Sequence, residues 1–213
     1  MAILASSIAI FGGSFDPPHL GHETLVQELK ERFQFKAVWV VPTGKPWLDK
    51  KAQTDPDQRL KMAELAFGSI PDVAVKPIEI ERAKKTGQAS YMIDTVLELK
   101  KIHPKLTICI GSDQWLNLPK WHRYQDLLKE VTWVVFERKG YPMPNPPLFG
   151  LKKDQDVFFY ETQAPELSST QIRQSCEKTG KPTEKTLSPR VKDYLMQQGL
   201  YGTKPTSCAG TLE

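Results

Sequence analysis

The chain of 213 residues is long enough to bury a core without disulfides or a structural metal, and short enough to remain one domain. Hydrophobic residues at 39% and charged residues at 25% exclude a disordered composition. The formal charge of +4 is spread over scattered bases, which suits a local anionic ligand and argues against a nucleic-acid interface.

In chain order, the apolar run Ile8–Phe11 predicts a first strand. A helix follows, with Leu25, Val26, Leu29 and Phe33 along one buried stripe. Ala37–Val41 is the second strand. Asp55-Pro56, a cap residue followed by proline at the first helical position, starts a second helix that carries Leu60, Ala63 and Phe67. Val73–Lys76 is the third strand, and a helix runs from near Ser90 to before His103-Pro104. Leu106–Ile110, Val131–Phe136 and Val157–Tyr160 are further strands. Residues Tyr141 to Pro147 hold four of the 17 prolines and predict an extended connection. The last helix starts at Ser188-Pro189 and buries Val191, Tyr194 and Leu195.

Several of these strands are continuous apolar runs, as expected where both faces of a parallel sheet are covered. Strand–helix alternation then implies right-handed crossovers and an α/β fold with a doubly wound, mostly parallel, Rossmann-like sheet. Residues 1–201 are expected to form a single domain, and 202–213, polar and rich in breakers, a disordered tail.

Cys109, Cys176 and Cys208 have no CxxC spacing, which fits a reducing compartment and gives no zinc site. The apolar N-terminus lacks the Lys or Arg that opens a signal peptide, and no run approaches the roughly 18 apolar residues of a membrane span. The sequence therefore reads as a cytoplasmic protein with no membrane contact.

In an open parallel sheet, ligands bind outside the carboxyl ends of the strands. Those positions hold the run from Gly12 to His22, then Pro42-Thr43-Gly44-Lys45, Gly111-Ser112-Asp113, Glu137-Arg138-Lys139-Gly140, and Ser168 to Arg173. Small and charged residues at one edge describe a phosphate-bearing cleft. Gly12 and Gly13 let backbone approach a ligand closely. His19 and His22, half of the four histidines, lie at the mouth of a helix, where the dipole favours an anion. Two other readings remain open for the pair: ordinary surface or capping histidines, and metal ligands with Asp16 as a third donor. Ser169, Thr170 and Arg173 repeat the arrangement at a second helix start, although a hydroxyl there can also simply cap its own helix. Two such helix starts facing one cleft suggest a polyphosphate, with a nucleoside triphosphate as the economical choice.

There is no GxxxxGKS/T loop, no GxGxxG and no GxSxG elbow, which argues against P-loop, dinucleotide-binding and serine-nucleophile chemistry. Donors without an evident nucleophile fit phosphoryl or nucleotidyl transfer by positioning and charge stabilisation.

The run Gly12-Gly13-Ser14-Phe15-Asp16-Pro17-Pro18-His19-Leu20-Gly21-His22 resembles the GxFDPxHxGH signature of the nicotinate (and nicotinamide) mononucleotide adenylyltransferases. Ser168-Ser169-Thr170-Gln171-Ile172-Arg173 is similar to their ISSTxIR motif, with Leu167 in the isoleucine position. Arg59-Leu60 with Met62 to Ala66, Gly111-Ser112-Asp113-Gln114, and Leu118-Pro119-Lys120-Trp121-His122 extend the likeness nearly to Tyr201. The last of these points to the bacterial branch.

The resemblance implies adenylyl transfer from ATP, with Mg²⁺, to nicotinate mononucleotide, giving nicotinate adenine dinucleotide and pyrophosphate. It implies catalytic roles for His19, His22 and Arg173, a triphosphate anchor at Ser169, Thr170 and Arg173, and ATP contacts from Gly12, Gly13, Ser14, Phe15, Gly111 and Asp113. The mononucleotide falls to Ser14, Phe15, Lys45, Met92, Thr95 and Trp121, with Trp121 stacking on the pyridine ring. Without the likeness, Trp121 reads as a packing aromatic and Thr95 as plain helix surface; Trp115 keeps the packing reading. Members commonly carry PPHK where this chain has Lys45-Pro46-Trp47-Leu48-Asp49-Lys50, and threonine where it has Met92. Nicotinamide mononucleotide as the preferred acceptor, and a non-catalytic nucleotide sensor, stay open as alternatives.

Overall fold

The computed structural model describes residues 4–46, 54–137 and 146–204. The six strands are β1 (Ile8–Gly13), β2 (Ala37–Pro42), β3 (Val73–Val75), β4 (Leu106–Gly111), β5 (Thr132–Glu137) and β6 (Val157–Glu161). They form one sheet in the order β3-β2-β1-β4-β5-β6, and every pairing is parallel. All six lie where the apolar runs predict them.

The period-2 alternation of strand side chains divides the core. Ala9 and Phe11 of β1, with Val38 and Val40 of β2, face one layer of helices. That layer holds α1 (Leu20–Phe33), α2 (Pro56–Phe67), α7 (Ser169–Thr179) and α8 (Pro189–Gln197). Ile8, Ile10, Trp39 and Val41 face the other, which includes α4 (Met92–Leu99), α5 (Ser112–Leu116) and α6 (Tyr124–Glu130). Each Leu, Ile, Val or Phe side chain fully buried here contributes about 1.5–3 kcal/mol. Trp115, fully buried, donates its indole N–H to the Pro147 carbonyl at 2.9 Å, so it packs the core as the sequence suggests.

Helix starts follow their local chemistry. Asp55 caps α2 by accepting from the Asp57 N–H at 2.8 Å, with Pro56 at the first turn. The helix expected from near Ser90 begins at Met92 and ends at Leu99. A further helix, α3 (Ile78–Thr86), has no apolar stripe to announce it: only Glu79 and Ile80 are buried among its nine residues. The short α5 and α6 were likewise not predicted, since five and seven residues are too few to show a helical period.

Of the proposed tail, Gly202 closes a 3-10 turn begun at Leu200, and Thr203 is buried. Residues 205–213, and most of the predicted connection at 141–147, lie outside the described residues, as do Lys50 and Lys51. Among the described residues no helix is long and apolar enough to cross a membrane.

Candidate active site

The chain runs from β1 to β2 on one side and crosses to β4 on the other, so the strand order reverses between β1 and β4. A cleft of about 1750 Å³ opens there, at the carboxyl ends of the strands, where an open parallel sheet holds its ligands. Its lining includes Gly12, Gly13, Ser14, Phe15, His19, His22, Gly111, Asp113, Ser169, Thr170 and Arg173, together with Met92 and Trp121. The predicted ATP-side residues are therefore brought together by the fold.

His19 is the N-cap of α1 and is buried. Its Nδ1 accepts the His22 N–H at 3.3 Å, while the His22 Nδ1 accepts the His19 N–H at 3.2 Å. This is a capping box built from imidazoles. The two rings stack at 3.6 Å between centroids, 19° from parallel. Because both Nδ1 atoms accept, each neutral ring carries its proton on Nε2. Gly21 between them is sterically required, since a Cβ there would stand 2.6 Å from the Pro165 carbonyl oxygen. Phe15 has a left-handed backbone (φ 49°), and its buried ring meets His22 edge-on at 5.3 Å.

The second helix start, α7, has no side-chain cap at Ser168, which leaves its positive end to the cleft. Ser169 does not turn into its own helix: its hydroxyl donates to the Pro17 carbonyl at 2.8 Å. Arg173 donates from Nη1 to the Asp16 carbonyl at 2.6 Å and from Nη2 to Thr170 Oγ1 at 3.2 Å. The start of α7 is thus bolted to the loop that carries the histidines.

Beneath that loop lies a set of buried charges. Asp16 is 2% exposed, and its Oδ1 accepts from the Tyr201 hydroxyl at 2.6 Å and from Thr54 Oγ1. Burial, with the Asp16 charge beside it, pushes the Tyr201 phenol well above its ordinary value, so it stays a donor. Arg59, 1% exposed, donates to the carbonyls of Ser14 (2.9 Å) and Gly44 (3.0 Å), joining the loops after β1 and β2. Burial pulls its guanidinium below the usual value, opposed chiefly by Asp16. On α3, Glu79 is buried and accepts from Thr95 Oγ1 at 2.8 Å. Burial raises its carboxyl, while hydrogen bonds from Thr95, the Gly44 backbone and Ser90 and the charge of Arg82 act in the opposite direction.

Sequence reasoning missed Arg59, Glu79, Thr54 and Tyr201 as site-building residues and considered Asp16 only as a metal ligand. One signal was available: Arg59 falls on the stripe shared by Met62, Ala63 and Ala66, an ionised group on a buried helix face.

At the other end of the cleft, Met92 Cε lies so close to Gly12 that a Cβ there would meet it at 3.0 Å. Trp121 is half-buried at the end of a 3-10 turn over Leu118–Lys120 and lines the cleft. Beside it, the rings of His122 and Tyr91 lie 4.3 Å apart. The two remaining mononucleotide candidates are placed differently. Thr95 is fully buried, one hydrogen bond behind the cleft lining, which it reaches through Glu79. The Lys45 side chain turns outward, its ammonium donating to the Gly87 carbonyl at 3.0 Å.

Among the described residues no three of His, Cys, Asp and Glu form a metal cage. The Nδ1 atoms of His19 and His22 accept backbone N–H groups, and Asp16 Oδ1 accepts from hydroxyls. Cys109 borders the cleft, and full burial raises its thiol far above the ordinary value, which disfavours the thiolate.

A family model described as cytidylyltransferase-like matches residues 10–175. A Bacillus pumilus protein named "Probable nicotinate-nucleotide adenylyltransferase" is 36% identical over 198 residues, covering 91% of this chain and 97% of that protein. The "Nicotinate-nucleotide adenylyltransferase" of Bacillus subtilis is 33% identical, again covering 91% of this chain and 97% of its own length. Among solved structures, Plasmodium falciparum nicotinic acid mononucleotide adenylyltransferase complexed with NaAD superposes with a TM-score of 0.77. At 19% identity, over 94% of this chain and 100% of that one, it establishes a shared fold.

Proposed function

We infer the reaction from an established premise, that the chain belongs to the cytidylyltransferase-like family and, within it, to the nicotinate-nucleotide adenylyltransferases. The protein is a nucleotidyltransferase that moves the adenylyl group of ATP to nicotinate mononucleotide, releasing pyrophosphate, in NAD biosynthesis. The observation that carries this reading is the stacked, mutually capped pair His19 and His22 set beside the uncapped start of α7 in one cleft.

In our reading the mononucleotide 5′-phosphate oxygen attacks the α-phosphorus of ATP. The new P–O bond forms as the bond to the β-phosphate breaks, and pyrophosphate leaves with its charge. No covalent intermediate is needed, which fits a cleft without an activated nucleophile. His19 and His22, proton on Nε2, donate to the phosphate oxygens as negative charge builds. Thr170, Arg173 and the first turn of α7 hold the departing pyrophosphate. Gly12, Gly13, Ser14 and Phe15 let backbone run against the phosphates, and Gly111 and Asp113 border the ribose. Trp121 supplies a stacking face for the pyridine ring, with Met92 at its side. Lys45 and Thr95 act indirectly, through the loop after β2 and the Glu79 network.

Mg²⁺ would enter with the triphosphate of ATP. Bound so, it neutralises charge on the leaving group. We place the reaction in the cytoplasm, where free thiols such as Cys109 and Cys176 persist.

The test is pyrophosphate release with ATP and Mg²⁺, supplying nicotinate mononucleotide, nicotinamide mononucleotide or phosphopantetheine in separate assays. Turnover with nicotinate mononucleotide at the highest kcat/KM supports the reading. A higher value for nicotinamide mononucleotide moves the acceptor to the amide, and binding of ATP without turnover of any acceptor makes the protein a sensor.

A further inference from the structure

Arg173 donates to the loop after β1 at the Asp16 carbonyl, 2.6 Å away. The residue that carries this carbonyl is held by its own side chain, which is buried and accepts hydroxyls from two distant segments of the chain. One donor is the Tyr201 hydroxyl, 185 residues away in sequence; the other is Thr54 Oγ1, 38 residues away. The two hydroxyls also lie 3.5 Å from each other. Tyr201 reaches this position from a left-handed backbone (φ 55°, ψ 32°) inside the final 3-10 turn, a conformation that a side-chain-bearing residue adopts at a cost. Behind it, a Cβ added to Gly202 would meet the Cα of Glu177, on the helix that carries Arg173, at 3.7 Å.

We propose that Tyr201 and Thr54 are positioning residues for adenylyl transfer, fixing the Asp16 carboxylate and through it the guanidinium of Arg173. Nothing in the motif at residues 12–22 or at 168–173 contains either hydroxyl, so the end of the domain completes the site from outside its signature. The inference rests on Arg173 serving the ATP phosphates. Without one hydroxyl the Asp16 side chain is anchored less firmly, and the loop segment whose carbonyl receives the Arg173 guanidinium is held less firmly with it. The consequence falls on ATP and the leaving group, and the pyridine end of the cleft is untouched.

The experiment compares Tyr201→Phe, Thr54→Val, Thr54→Ser, Arg173→Ala and the double variant Tyr201→Phe/Arg173→Ala with the wild-type chain. Melting midpoints, active-site concentration, kcat and both KM values are read for each. Tyr201→Phe and Thr54→Val are expected to lower kcat/KM for ATP roughly ten-fold while the mononucleotide KM stays within about two-fold. Thr54→Ser, which keeps the hydroxyl, restores wild-type values. In the Arg173→Ala background, Tyr201→Phe adds less than about a two-fold loss, because the two act in series. Additive losses alongside a sensitive Arg173→Ala overturn the positioning role alone. So does a lower melting midpoint with both KM values and kcat per active site unchanged. Wild-type ATP parameters in Arg173→Ala overturn the reading of Arg173 itself, and the proposal with it.

Discussion

His19 and His22 show how two residues of one motif serve structure and chemistry at once. The same hydrogen bonds that cap α1 fix the tautomer of both rings. His22→Ala leaves the His19 Nδ1 still accepting the backbone N–H of residue 22. It should lower kcat by about 10²–10³-fold, the size seen when one transition-state donor is removed, with ATP affinity changed within about three-fold. Rapid-quench rates set against calorimetric ATP affinity decide this, and equal small losses in both would refute the role. Trp121→Ala should raise KM for the mononucleotide roughly ten-fold, as loss of a stacking face implies, with KM for ATP unchanged. A selective loss of ATP affinity would put the indole on the wrong side of the cleft. Both histidines, Arg173 and Trp121 are legible from spacing and likeness because their motif is local. Lys45 and Thr95 were less so: their places depend on the Gly87 carbonyl and on the buried Glu79, contacts that no short window contains.

At the scale of elements, the informative one is α3, which links the loop after β2 to α4. Its buried Glu79 serves the Gly44 backbone and accepts from Thr95 of α4, while Arg59 of α2 holds the Gly44 carbonyl. A Cβ on Gly44 would stand 2.1 Å from the Glu79 carbonyl oxygen, so the two segments are in direct contact. Desolvation raises the Glu79 carboxyl above its ordinary value despite the hydrogen bonds it accepts. The folded protein therefore binds that proton more tightly than the unfolded chain does. Its stabilising effect is complete below the unfolded value near 4.3 and is lost as pH rises through the higher folded value. Relative to wild type, Glu79→Gln should thus gain melting midpoint as pH increases from about 4 toward about 8. A difference that stays constant, or shrinks, would show that the hydrogen bonds outweigh desolvation. The amphipathic helices α1, α2 and α8 were readable because each buries a stripe. The helix α3 was not, since its sequence is largely polar and it buries only Glu79 and Ile80 rather than a stripe.

For the whole molecule, a parallel sheet whose order reverses beside β1 creates the cleft before any side chain is considered. The ligand then ties together segments from both ends of the chain. A non-hydrolysable ATP analogue with Mg²⁺ at about 100 times its Kd should stabilise the fold by about 2.7 kcal/mol. For a chain of this size that corresponds to a rise in Tm of roughly 5–10 °C. Differential scanning fluorimetry reads it directly, and an unmoved Tm at saturating analogue would mean that the cleft does not hold the triphosphate.

By itself the sequence determined the six strands, their parallel pairing, the helices with an apolar stripe, and the two glycine- and hydroxyl-bearing loops that face one edge. These are set by periodicity and by chemistry within a few residues of chain. Tertiary structure alone decided which residues support that edge. Asp16 meets Thr54 and Tyr201, Arg59 meets Ser14 and Gly44, and Ser169 meets Pro17. Burial makes those partnerships obligatory, since a polar group removed from water must find its hydrogen bonds wherever the fold brings them.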